Sequence, residues 1–553
     1  MRFGLKSAGV AFLFFVSLVG VSFAQTGSVT GQVFDPGGAV VPNATVTAKS
    51  ETTALTRTAT TTSAGIYNFA ALPPSMYTVT VEAQGFQTIA RSHVVLNVAA
   101  TLPVNFNLQL AGAVASVDVQ DVTVAPVETD SFQLSTVINS KQINDLPLIL
   151  RDPYQLTLLA PGVVTSTNND GGFSVNGQRD RNNNFMLDGA DNNDTSVPGI
   201  PGGISSANPD STQEFRVITN NFDAEFGRNT GAIIDVVTRA GGNQFHGDAY
   251  EFGRYNALGA RDFFNKKGSP QDPYVRNNFG ASVGGPIWKD HSFFFLNGDV
   301  QRFRTTRTSS QTTPTAAFKT GKFNFIDQSK DGLVTPVDLT DPANPNNFTG
   351  LGPDPLVAKI LAITPVGVDN GDGVSTTYNF ASPDALNAYN LTGRFDQKLS
   401  DRHQLTVRYI YGHSADTDPF HDEVLPGYGN TAAISTSHNG VISIASSLSA
   451  NATNLVRGSF NLSNSGFFCN HAGIDAINGT DSFGNGRDIT LPYFSFTFGC
   501  SALGDSNAQA RLSSTLLFAD TFTLTKGAHS MKFGGEYRSV KDNNFDNFAS
   551  RDA

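Results

Sequence analysis

Residues 213–252 read QEFRVITNNFDAEFGRNTGAIIDVVTRAGGNQFHGDAYEF and contain the boundary between two kinds of sequence. Before the boundary, a region rich in glycine and turn residues ends in a short apolar segment at residues 232–237. After the break at residues 241–243, polar and apolar residues alternate in successive segments for about 300 residues. Because successive side chains of a β-strand point to opposite faces, this alternation predicts a long antiparallel array of amphipathic strands.

The composition suits a β-protein and argues against nucleic acid as a partner. Of the 553 residues, 15% are charged, 53 are Gly and 43 are Phe. The usual charged fraction of a soluble protein is about 25%, and abundant Gly and Phe suit strands with one apolar face that are joined by turns. The net charge of -11 is the opposite of the basic surface that phosphate binding needs.

Residues 1–24 have the features of a secretory signal peptide. A basic start with Arg2 and Lys6 precedes an apolar run over residues 10–21, and a small residue, Ala24, suits cleavage. A transmembrane anchor is the alternative, but the run is short for one. No later segment reaches the ~18 apolar residues of a membrane-spanning helix. We therefore expect any later span to be a β-barrel, which satisfies its own backbone in lipid.

The chain has two cysteines, Cys469 and Cys500. An even number in an exported protein permits one disulfide. The two residues bracket a segment rich in Gly and Asn that is predicted to be a loop, so a bridge would close that loop. Two unpaired thiols are the alternative.

Residues 27–110 predict a small β-sandwich, because short alternating strands are separated by turn sequences such as Asp-Pro-Gly-Gly at 35–38. The pattern G-x-V-x-D-P-x-G-x-x-V-P-x-A at 31–44 and the segment LPPSMYTVTVEAQGF at 72–86 resemble the carboxypeptidase regulatory-like domain, a transthyretin-like sandwich. This resemblance implies a non-catalytic domain with a carbohydrate-binding-like fold. Sugar binding and a structural or docking role both stay open. Ser75 stands where the family usually has Gly.

Residues 128–242 predict a small α+β domain. The segment RDPYQLTLL at 151–159 predicts a short helix with Pro153 in its first turn. Asn-Gly at 176–177 and Asp-Gly at 188–189 are turn pairs. The carboxylates of Asp188, Asp191 and Asp194 could bind a cation, but we favour turn formation because a bidentate Glu and strict loop spacing are lacking.

Three segments in this domain resemble the plug of TonB-dependent outer-membrane receptors, in particular the Oar-like group. They are LP…RDPYQLTLLAPGV, VNGQRDRNNNFMLDG and the segment from Ser211 that includes the opening stretch. Together they span about 100 residues in the right order. The matched plug-motif positions are Asn176, Gly177, Arg179, Asp188, Gly189, Glu225, Gly227, Arg228 and Gly231.

The linker at residues 111–127 contains an alternating segment, VDVQDVTV. An isolated extended segment can add to the edge of another protein's sheet. In TonB-dependent receptors a segment of this type precedes the plug and pairs with TonB. The resemblance therefore implies a coupling role for Val117, Asp118, Val119, Asp121, Val122, Thr123 and Val124. An ordinary linker strand is the alternative.

Residues 243–553 predict strands of about ten residues, which suffice to cross a bilayer as tilted barrel strands. Tyr389 and Leu391 share one face, whereas Thr392 and Arg394 share the other. Tight turns alternate with long loops near 308–385, 415–430 and 465–510, as in outer-membrane barrels. Periodicity alone also fits a soluble sandwich or propeller.

We count about nine or ten strands in this region, whereas plugged outer-membrane transporters have about 22. A barrel of ten strands is too narrow to enclose the predicted plug. The segment FASRDA at the end also lacks the aromatic terminal residue that is common in outer-membrane proteins. We therefore expect the sequence to be the N-terminal part of a longer protein.

One loop has the spacing of an EF-hand calcium site. The positions are Asp327, Ser329 and Asp331, then Gly332, with Asp338 as the twelfth residue. Asp338 is shorter than the usual Glu, and clear flanking helices are missing. Calcium binding and a polar surface turn both stay open.

The predicted fold is mainly β: a transthyretin-like sandwich, a small α+β plug, and the N-terminal part of a transmembrane antiparallel β-barrel. The resemblance implies a receptor in the outer membrane of a Gram-negative bacterium, with its N-terminal domain in the periplasm. It would import a scarce or bulky ligand with energy supplied through TonB and the inner-membrane complex of TonB. Its other partners would be outer-membrane lipid and an extracellular ligand such as an oligosaccharide or a siderophore.

The alternative function is a glycan-binding or adhesion protein that a barrel anchors at the cell surface, without active transport. An enzyme is the weakest interpretation. The nine histidines are scattered, and the motifs HExxH, GxSxG, the P-loop and CxxC do not occur. We accordingly expect neither catalytic residues nor a cofactor.

Overall fold

The computed structural model of this chain describes residues 26–111, 118–121, 131–166, 172–197, 199–227, 229–260, 273–327, 332–341, 343, 358, 361–419, 430–470, 488–491, 494–497 and 509–545. Most of these residues lie in strands, which confirms the predicted mainly β class. Within these ranges no helix has the length and apolar character to cross a membrane. The predicted signal peptide, residues 1–24, lies outside the described residues.

The first region is a sandwich of two sheets, as predicted. One sheet has the order β4-β1-β7 with β8 also beside β1, and the other has the order β3-β2-β5-β6-β9. The strands are β1 (Gly27–Phe34), β2 (Thr45–Ser50), β3 (Thr56–Thr60), β4 (Ile66–Leu72), β5 (Ser75–Glu82), β6 (Ile89–Leu96), β7 (Thr101–Pro103), β8 (Phe106–Asn107) and β9 (Asp118–Asp121).

Alternation places the apolar side chains of both sheets in one core. Every second residue of β1 is buried, so Val29 and Val33 face Val79 and Val81 of β5 across the sandwich. The Tyr67 hydroxyl donates to the Val104 carbonyl at 2.5 Å.

Gly31 lies where β1 passes the segment after β7 most closely. A Cβ at this position would lie 2.0 Å from the Val104 carbonyl oxygen. Because the obstacle is backbone, it cannot rotate away. The glycine of the quoted family pattern is therefore required by close backbone approach at this point.

The second region, here called the central domain (residues 131–239), is built on one mixed sheet of order β10-β15-β16-β13-β14 beside a small hairpin of β11 and β12. Its strands are β10 (Leu134–Asn139), β11 (Val163–Thr165), β12 (Phe173–Val175), β13 (Asn184–Leu187), β14 (Ala190–Asp191), β15 (Thr212–Asn220) and β16 (Ile233–Thr238). Its helix α1 is Ser140–Asp145, and its 3-10 helices are Pro153–Leu159, Asp180–Asn182 and Pro209–Ser211.

Local sequence explains the two first helical segments of the central domain. Asn139 and Gln142 form a reciprocal capping box at the start of α1. The helix that we predicted at residues 151–159 is a 3-10 helix, with Asp152 as the N-cap and Pro153 in the first turn. Its Tyr154 ring packs between Phe185 and Phe215 in the core.

The third region, here called the wall sheet, is antiparallel with the order β17-β18-β19-β23-β24-β25-β26-β29-β30, and β22 pairs with β23. Its strands are β17 (His246–Tyr255), β18 (Tyr274–Trp288), β19 (Ser292–Pro314), β22 (Val368–Asp369), β23 (Ser375–Lys398), β24 (His403–Asp416), β25 (Asn430–Ser449), β26 (Ala452–Asn470), β29 (Gln509–Lys526) and β30 (His529–Phe545).

Smaller elements lie between these strands. They are the 3-10 helix Asn256–Leu258, α2 (Ala316–Lys319), the hairpin of β20 (Lys322–Asp327) with β21 (Leu333–Asp338), and the hairpin of β27 (Asp488–Leu491) with β28 (Phe494–Thr497).

The wall strands are longer than we predicted. β17 has 10 residues, but β23 has 24, so the long loop expected at 308–385 begins only after Pro314 and ends at Ser375. Polar cross-strand pairs extend the sheet in this part, for example the Thr313 and Thr376 hydroxyls at 2.8 Å. Such pairs form without an apolar alternation that sequence analysis could detect.

The two faces of the wall sheet differ, as the alternation predicted. The inner face contacts the central domain, and Arg394 and Arg408 lie on it. The outer face carries exposed apolar side chains, including Leu391 and Phe533. Tight turns such as those at residues 289–291 and 399–402 define the turn end of the wall sheet, and the opposite end is the loop end.

The sandwich lies against the turn end of the wall sheet. The Arg57 guanidinium donates to the Asp401 carbonyl at 2.6 Å, and the Thr62 hydroxyl donates to the Gly527 carbonyl at 2.9 Å. Both acceptors belong to tight turns. The chain therefore places the sandwich and the long loops at opposite ends of the wall sheet.

We predict that Gly31→Ala destabilises the sandwich by about 1–3 kcal/mol, because the added methyl group meets backbone in a packed core. Hydrogen exchange of the β1 and β7 amides in the full chain would show the loss of protection. Thr58→Ala, at an exposed position of β3, is the matched control and should leave the exchange unchanged. Equal protection in the two variants would contradict the prediction.

Candidate functional site between the central domain and the wall sheet

Asp188 lies at the centre of the contact between the central domain and the wall sheet. It forms, with Gly189, the two-residue turn between β13 and β14, and both residues have positive φ, 47° and 69°. An Asp-Gly pair suits this type of hairpin turn. The turn directs the Asp188 carboxylate toward Thr238 at the end of β16, whose N–H and hydroxyl both donate to it at 2.9 Å.

Two arginines of the wall sheet reach the same carboxylate. Arg408 of β24 donates from Nε to the Asp188 Oδ2 at 2.8 Å and from Nη2 to the Leu187 carbonyl at 2.7 Å. The Arg394 Nη1 of β23 lies 3.7 Å from the Asp188 Oδ1 and donates to the Thr238 carbonyl at 2.8 Å. The wall sheet therefore binds both the charge and the backbone of the central domain.

The carboxylate at this site is charged. Burial alone would raise the pKa of Asp188, but the Arg408 and Arg394 guanidiniums and the Thr238 N–H hold it below its ordinary value. Arg394 is also fixed by Asp396, whose Oδ2 accepts from its Nε at 2.8 Å. The arrangement is a compensated network of buried charges, which is costly to break at one partner.

Further polar contacts follow the inner face toward β30. Arg538 lies 3.1 Å from the Asp191 carboxylate, and the Lys532 ammonium donates to Glu225 at 2.8 Å. Asp235 of β16 is buried near Arg457 of β26, and burial raises its pKa to about 8 although the Arg457 charge opposes this shift. The contact surface is thus mainly polar, with the buried side chain of Ile410 as an apolar exception.

The structure places the predicted plug-motif residues in different roles. Asp188, Gly189 and Glu225 lie at the wall contact, as described above. Asn176 and Gly177 form a positive-φ turn, and the Asn176 amide donates to the Thr219 carbonyl at 3.0 Å. The others are Arg179, which is exposed, Gly227, which has open space at its Cβ position, and Gly231, where a Cβ would lie 2.5 Å from the Asn183 Oδ1. Arg228 lies outside the described residues.

Asp191 and Asp194 do not join Asp188 around a cation. Asp191 pairs with Arg538, and the Asp194 Oδ1 accepts from the Ser196 and Val197 N–H groups at 2.8 and 3.0 Å. In the described ranges no group of three or more His, Cys, Asp and Glu side chains is arranged to hold a metal ion. These contacts fit the turn-forming interpretation.

At residues 327–338, β20 and β21 hold the first and twelfth positions of the EF-hand spacing apart, which argues against the calcium-binding alternative. The hairpin of β20 and β21 pairs Asp327 with Leu333 but Asp338 with Lys322, at the opposite end of the ladder. The Asp338 carboxylate lies 3.1 Å from the Lys322 ammonium. Two positions at opposite ends of a hairpin cannot share an ion. Ser329 and Asp331 lie outside the described residues.

The disulfide between Cys469 and Cys500 stays a prediction. The backbone of Cys469 pairs with that of Thr431 near the loop end of β26. Cys500 lies outside the described residues.

The candidate coupling segment is partly described. Asp118 to Asp121 form β9, which pairs in parallel with β6 from Ile89 to Ser92. The segment thus adds to a sheet edge, and the edge belongs to the sandwich of the same chain. Val117, Val122, Thr123 and Val124 lie outside the described residues.

A contact that sequence analysis missed joins the sandwich to the central domain. The Val98 N–H donates to the Glu214 Oε1 at 2.5 Å, and the Arg216 Nη1 donates to the Val98 carbonyl at 3.1 Å. Glu214 and Arg216 lie two residues apart on β15 and therefore share a face. Together they bind the N–H and the carbonyl of Val98. Burial raises the pKa of Glu214 to about 7, although the Val98 N–H and Arg216 oppose the shift.

Comparisons with known proteins agree with this architecture. A family model described as an outer membrane beta barrel domain matches residues 237–553, and one described as a carboxypeptidase regulatory-like domain matches residues 28–109. A curated relative, the TonB-dependent transporter Oar of Myxococcus xanthus, is 30% identical over 325 residues. The match covers 55% of this chain and 30% of that protein, so the chain spans less than a third of the relative's length.

Two solved structures are also similar. The outer membrane transporter YddB from Escherichia coli is 14% identical, with a TM-score of 0.45 over 74% of this chain and 48% of that chain. A mutant of the ferric enterobactin receptor from Pseudomonas aeruginosa is 10% identical, with a TM-score of 0.45 over 74% of this chain and 49% of that one.

We predict that the contact between the sandwich and the central domain weakens as the pH rises. The pKa of Glu214 is about 7 in the contact against an ordinary 4.5, so the docked state binds more protons between these values. Its stability is therefore full below about pH 4.5 and declines as the pH rises through about 7. Hydrogen exchange of the Val98 amide at several pH values, corrected for the intrinsic exchange rate at each pH, measures the stability of this contact.

Glu214→Gln keeps an acceptor for the Val98 N–H but cannot titrate, so this variant should lose the pH dependence. Glu82→Gln, at an exposed position at the end of β5, is the matched control and should keep it. The prediction is contradicted if, in the unmodified chain, hydrogen exchange of the Val98 amide changes with pH only as the intrinsic exchange rate does.

We predict that Asp188→Asn destabilises the central domain by about 3–5 kcal/mol, because it leaves two buried arginines without their shared carboxylate. Urea titration of the full chain, followed by exchange of the β13 and β16 amides, measures the loss. Asp194→Asn retains an oxygen acceptor for its local N–H donors and serves as the matched control. Similar urea midpoints for the two variants would show that the charge of Asp188 does not stabilise the central domain.

Proposed function

The chain belongs to the outer membrane β-barrel family and lies in the outer membrane, and we propose that it is a TonB-dependent receptor that imports an extracellular ligand. The observation that carries the proposal is the contact of Asp188 with Arg394 and Arg408, which fixes a folded domain against the inner face of the barrel wall. A domain in this position closes the barrel as a plug. A ligand can pass only if that plug moves.

The chemistry of the interface suits a plug that moves without unfolding. Its contacts are ion pairs and hydrogen bonds, including Asp191 with Arg538 and Glu225 with Lys532. Buried ion pairs have already lost their hydration, and water restores that hydration when the surfaces separate. A mainly apolar interface would instead expose apolar surface to water when it separates, and this exposure is unfavourable.

A mechanical input is then needed at a segment that connects to the plug. β9 precedes the central domain in the chain, and β10 is the edge strand of the central sheet. Tension on β9 therefore reaches the plug at β10, across the sheet from the Asp188 turn. In the proposed mechanism TonB binds the backbone of this segment by strand addition.

The pairing of β9 with β6 adds a step to this mechanism. A strand has two hydrogen-bonding edges, but β9 is only four residues long, and TonB needs a segment that it can pull away. The β9 strand must therefore separate from β6 before it transmits force. The sandwich, with its carboxypeptidase regulatory-like sequence, holds the coupling segment when TonB is absent.

A surface protein that binds glycans or mediates adhesion is the second candidate. The observation in its favour is the match of residues 28–109 to the carboxypeptidase regulatory-like domain, whose fold resembles carbohydrate-binding modules. A protein of this kind needs no contact with TonB. The two candidates therefore differ in whether the β9 segment binds TonB.

We predict that Val119→Pro lowers the affinity of the full chain for the purified periplasmic domain of TonB by about tenfold or more. Proline lacks the N–H that strand addition uses and is poorly tolerated in a paired strand. Surface plasmon resonance on the detergent-solubilised chain measures the change. Val119→Thr, which keeps the N–H and a β-branched side chain, should bind as the unmodified chain does.

The proposed function fails if the unmodified chain does not bind TonB, or if Val119→Pro binds as tightly as Val119→Thr. In cells, the same two variants distinguish transport from adhesion. If cells with the Val119→Pro variant still attach to a glycan surface although the variant does not bind TonB, the second candidate is favoured.

A further inference from the structure

Two arginines face each other on the inner face of the wall sheet near the loop end. Arg254 of β17 and Arg276 of β18 are direct partners in the antiparallel ladder. Side chains at such positions have Cβ atoms about 4.5–5.5 Å apart. Phe252, two residues before Arg254 and on the same face, has the plug residue Arg151 over its ring at 3.7 Å. The arginine pair therefore faces the lumen, at the next inner position beyond the plug contact.

Within the part of the chain that the structure describes, no carboxylate pairs with either arginine. Among the described residues, neither guanidinium forms an ion pair or a hydrogen bond, and the Arg276 Nε is buried without a partner. Asp299, a carboxylate on the same inner face, accepts from the Tyr250 hydroxyl at 2.8 Å instead. The ion pairs described above for the inner face each join a positive side chain to a negative one.

Aromatic rings hold the two guanidiniums in place without neutralising them. Arg254 lies over the Tyr274 ring at 4.9 Å from its centroid, and Arg276 lies over the Phe303 ring at 5.5 Å. These contacts lower the number of conformations of both side chains while their N–H groups stay available. Like charges at directly opposite positions destabilise a sheet, so negative charge on a bound ligand would stabilise the pair.

From this juxtaposition we propose that Arg254 and Arg276 form a binding site for an anionic oxygen group, a carboxylate or a phosphate, on the ligand that the receptor imports. The planar guanidinium matches both groups with paired hydrogen bonds. The proposal rests on the proposed function for its physiological ligand, but anion binding itself requires neither TonB nor transport.

The position of the pair argues for a soluble ligand in the lumen. Lipid contacts the outer face, where Arg302 of β19 donates to the Tyr389 hydroxyl at 2.6 Å and lies 4.8 Å from the centroid of its ring. The inner pair is reached from the loop end, on the side of the plug away from the sandwich. An anionic group bound there lies next to Phe252 and so next to the plug residue Arg151.

The test uses the full chain in detergent at low salt, with citrate as the carboxylate probe and pyrophosphate as the phosphate probe. Isothermal titration calorimetry should detect binding of at least one probe. Arg254→Gln and Arg276→Gln should each weaken it by about tenfold or more, the effect expected for a lost charge-assisted contact. Arg276→Lys should bind with intermediate affinity, because lysine keeps the charge but not the planar donor pair.

Arg302→Gln is the matched control on the outer face and should bind as the unmodified chain does. Heat-modifiable migration on gels checks that each variant keeps its folded barrel. A stronger effect on citrate than on pyrophosphate assigns the site to carboxylates, and the reverse assigns it to phosphates.

The inference is overturned if neither probe binds the unmodified chain, or if folded Arg254→Gln and Arg276→Gln variants bind as tightly as Arg302→Gln does. These outcomes are separate from failure of the proposed function. Loss of TonB binding with anion binding intact would reject the transport mechanism and leave this site in place.

Discussion

The attachment of the central domain depends on one buried carboxylate, that of Asp188, which is shared between two arginines of the wall sheet. Three separate parts of the chain produce this contact. The β13–β14 turn positions Asp188, the parallel pairing of β13 with β16 brings Thr238 beside it, and the alternation of β23 and β24 directs Arg394 and Arg408 inward. Loss of any part would leave charge buried without compensation, so the three parts stabilise one another.

The same alternation that places these arginines inward places apolar side chains outward. A strand of the wall sheet therefore serves two environments at once, lipid at Leu391 and the plug at Arg394. This explains why a chain with only 15% charged residues can still form a polar interior. The wall residues that form ion pairs with the plug, Arg394, Arg408, Lys532 and Arg538, lie on the inner face.

The features that depend on local pattern could be predicted from the sequence. The two-faced strands around Tyr389 and the Asp188-Gly189 turn are of this kind, because period and turn chemistry act within a few residues. The ion pairs of Asp188 could not be predicted, since Arg408 lies 220 residues away and nothing local distinguishes it from other inward arginines. The same limit applies to Glu214, whose partner at Val98 is a backbone group. The EF-hand spacing shows a different limit, because the pattern from Asp327 to Asp338 is local but antiparallel pairing joins its two ends to other residues, Leu333 and Lys322. Ligand spacing is informative only when the backbone between the ligands curls around an ion, and strand pairing keeps residues 333–338 extended.

The arginine pair and the sandwich contact lie at two ends of one connected set of contacts. Arg151 packs on Phe252 beside the pair and lies 2.5 Å from Asp210, which belongs to the 3-10 helix directly before β15. β15 carries Glu214 and Arg216, which bind Val98 of the sandwich. Proximity alone does not establish coupling, which needs an element with two arrangements. The Glu214 contact is such an element if it opens when the carboxyl group loses its proton. A ligand at Arg254 and Arg276 would then influence the sandwich only by changing the position of Arg151, and β9 is paired to that sandwich.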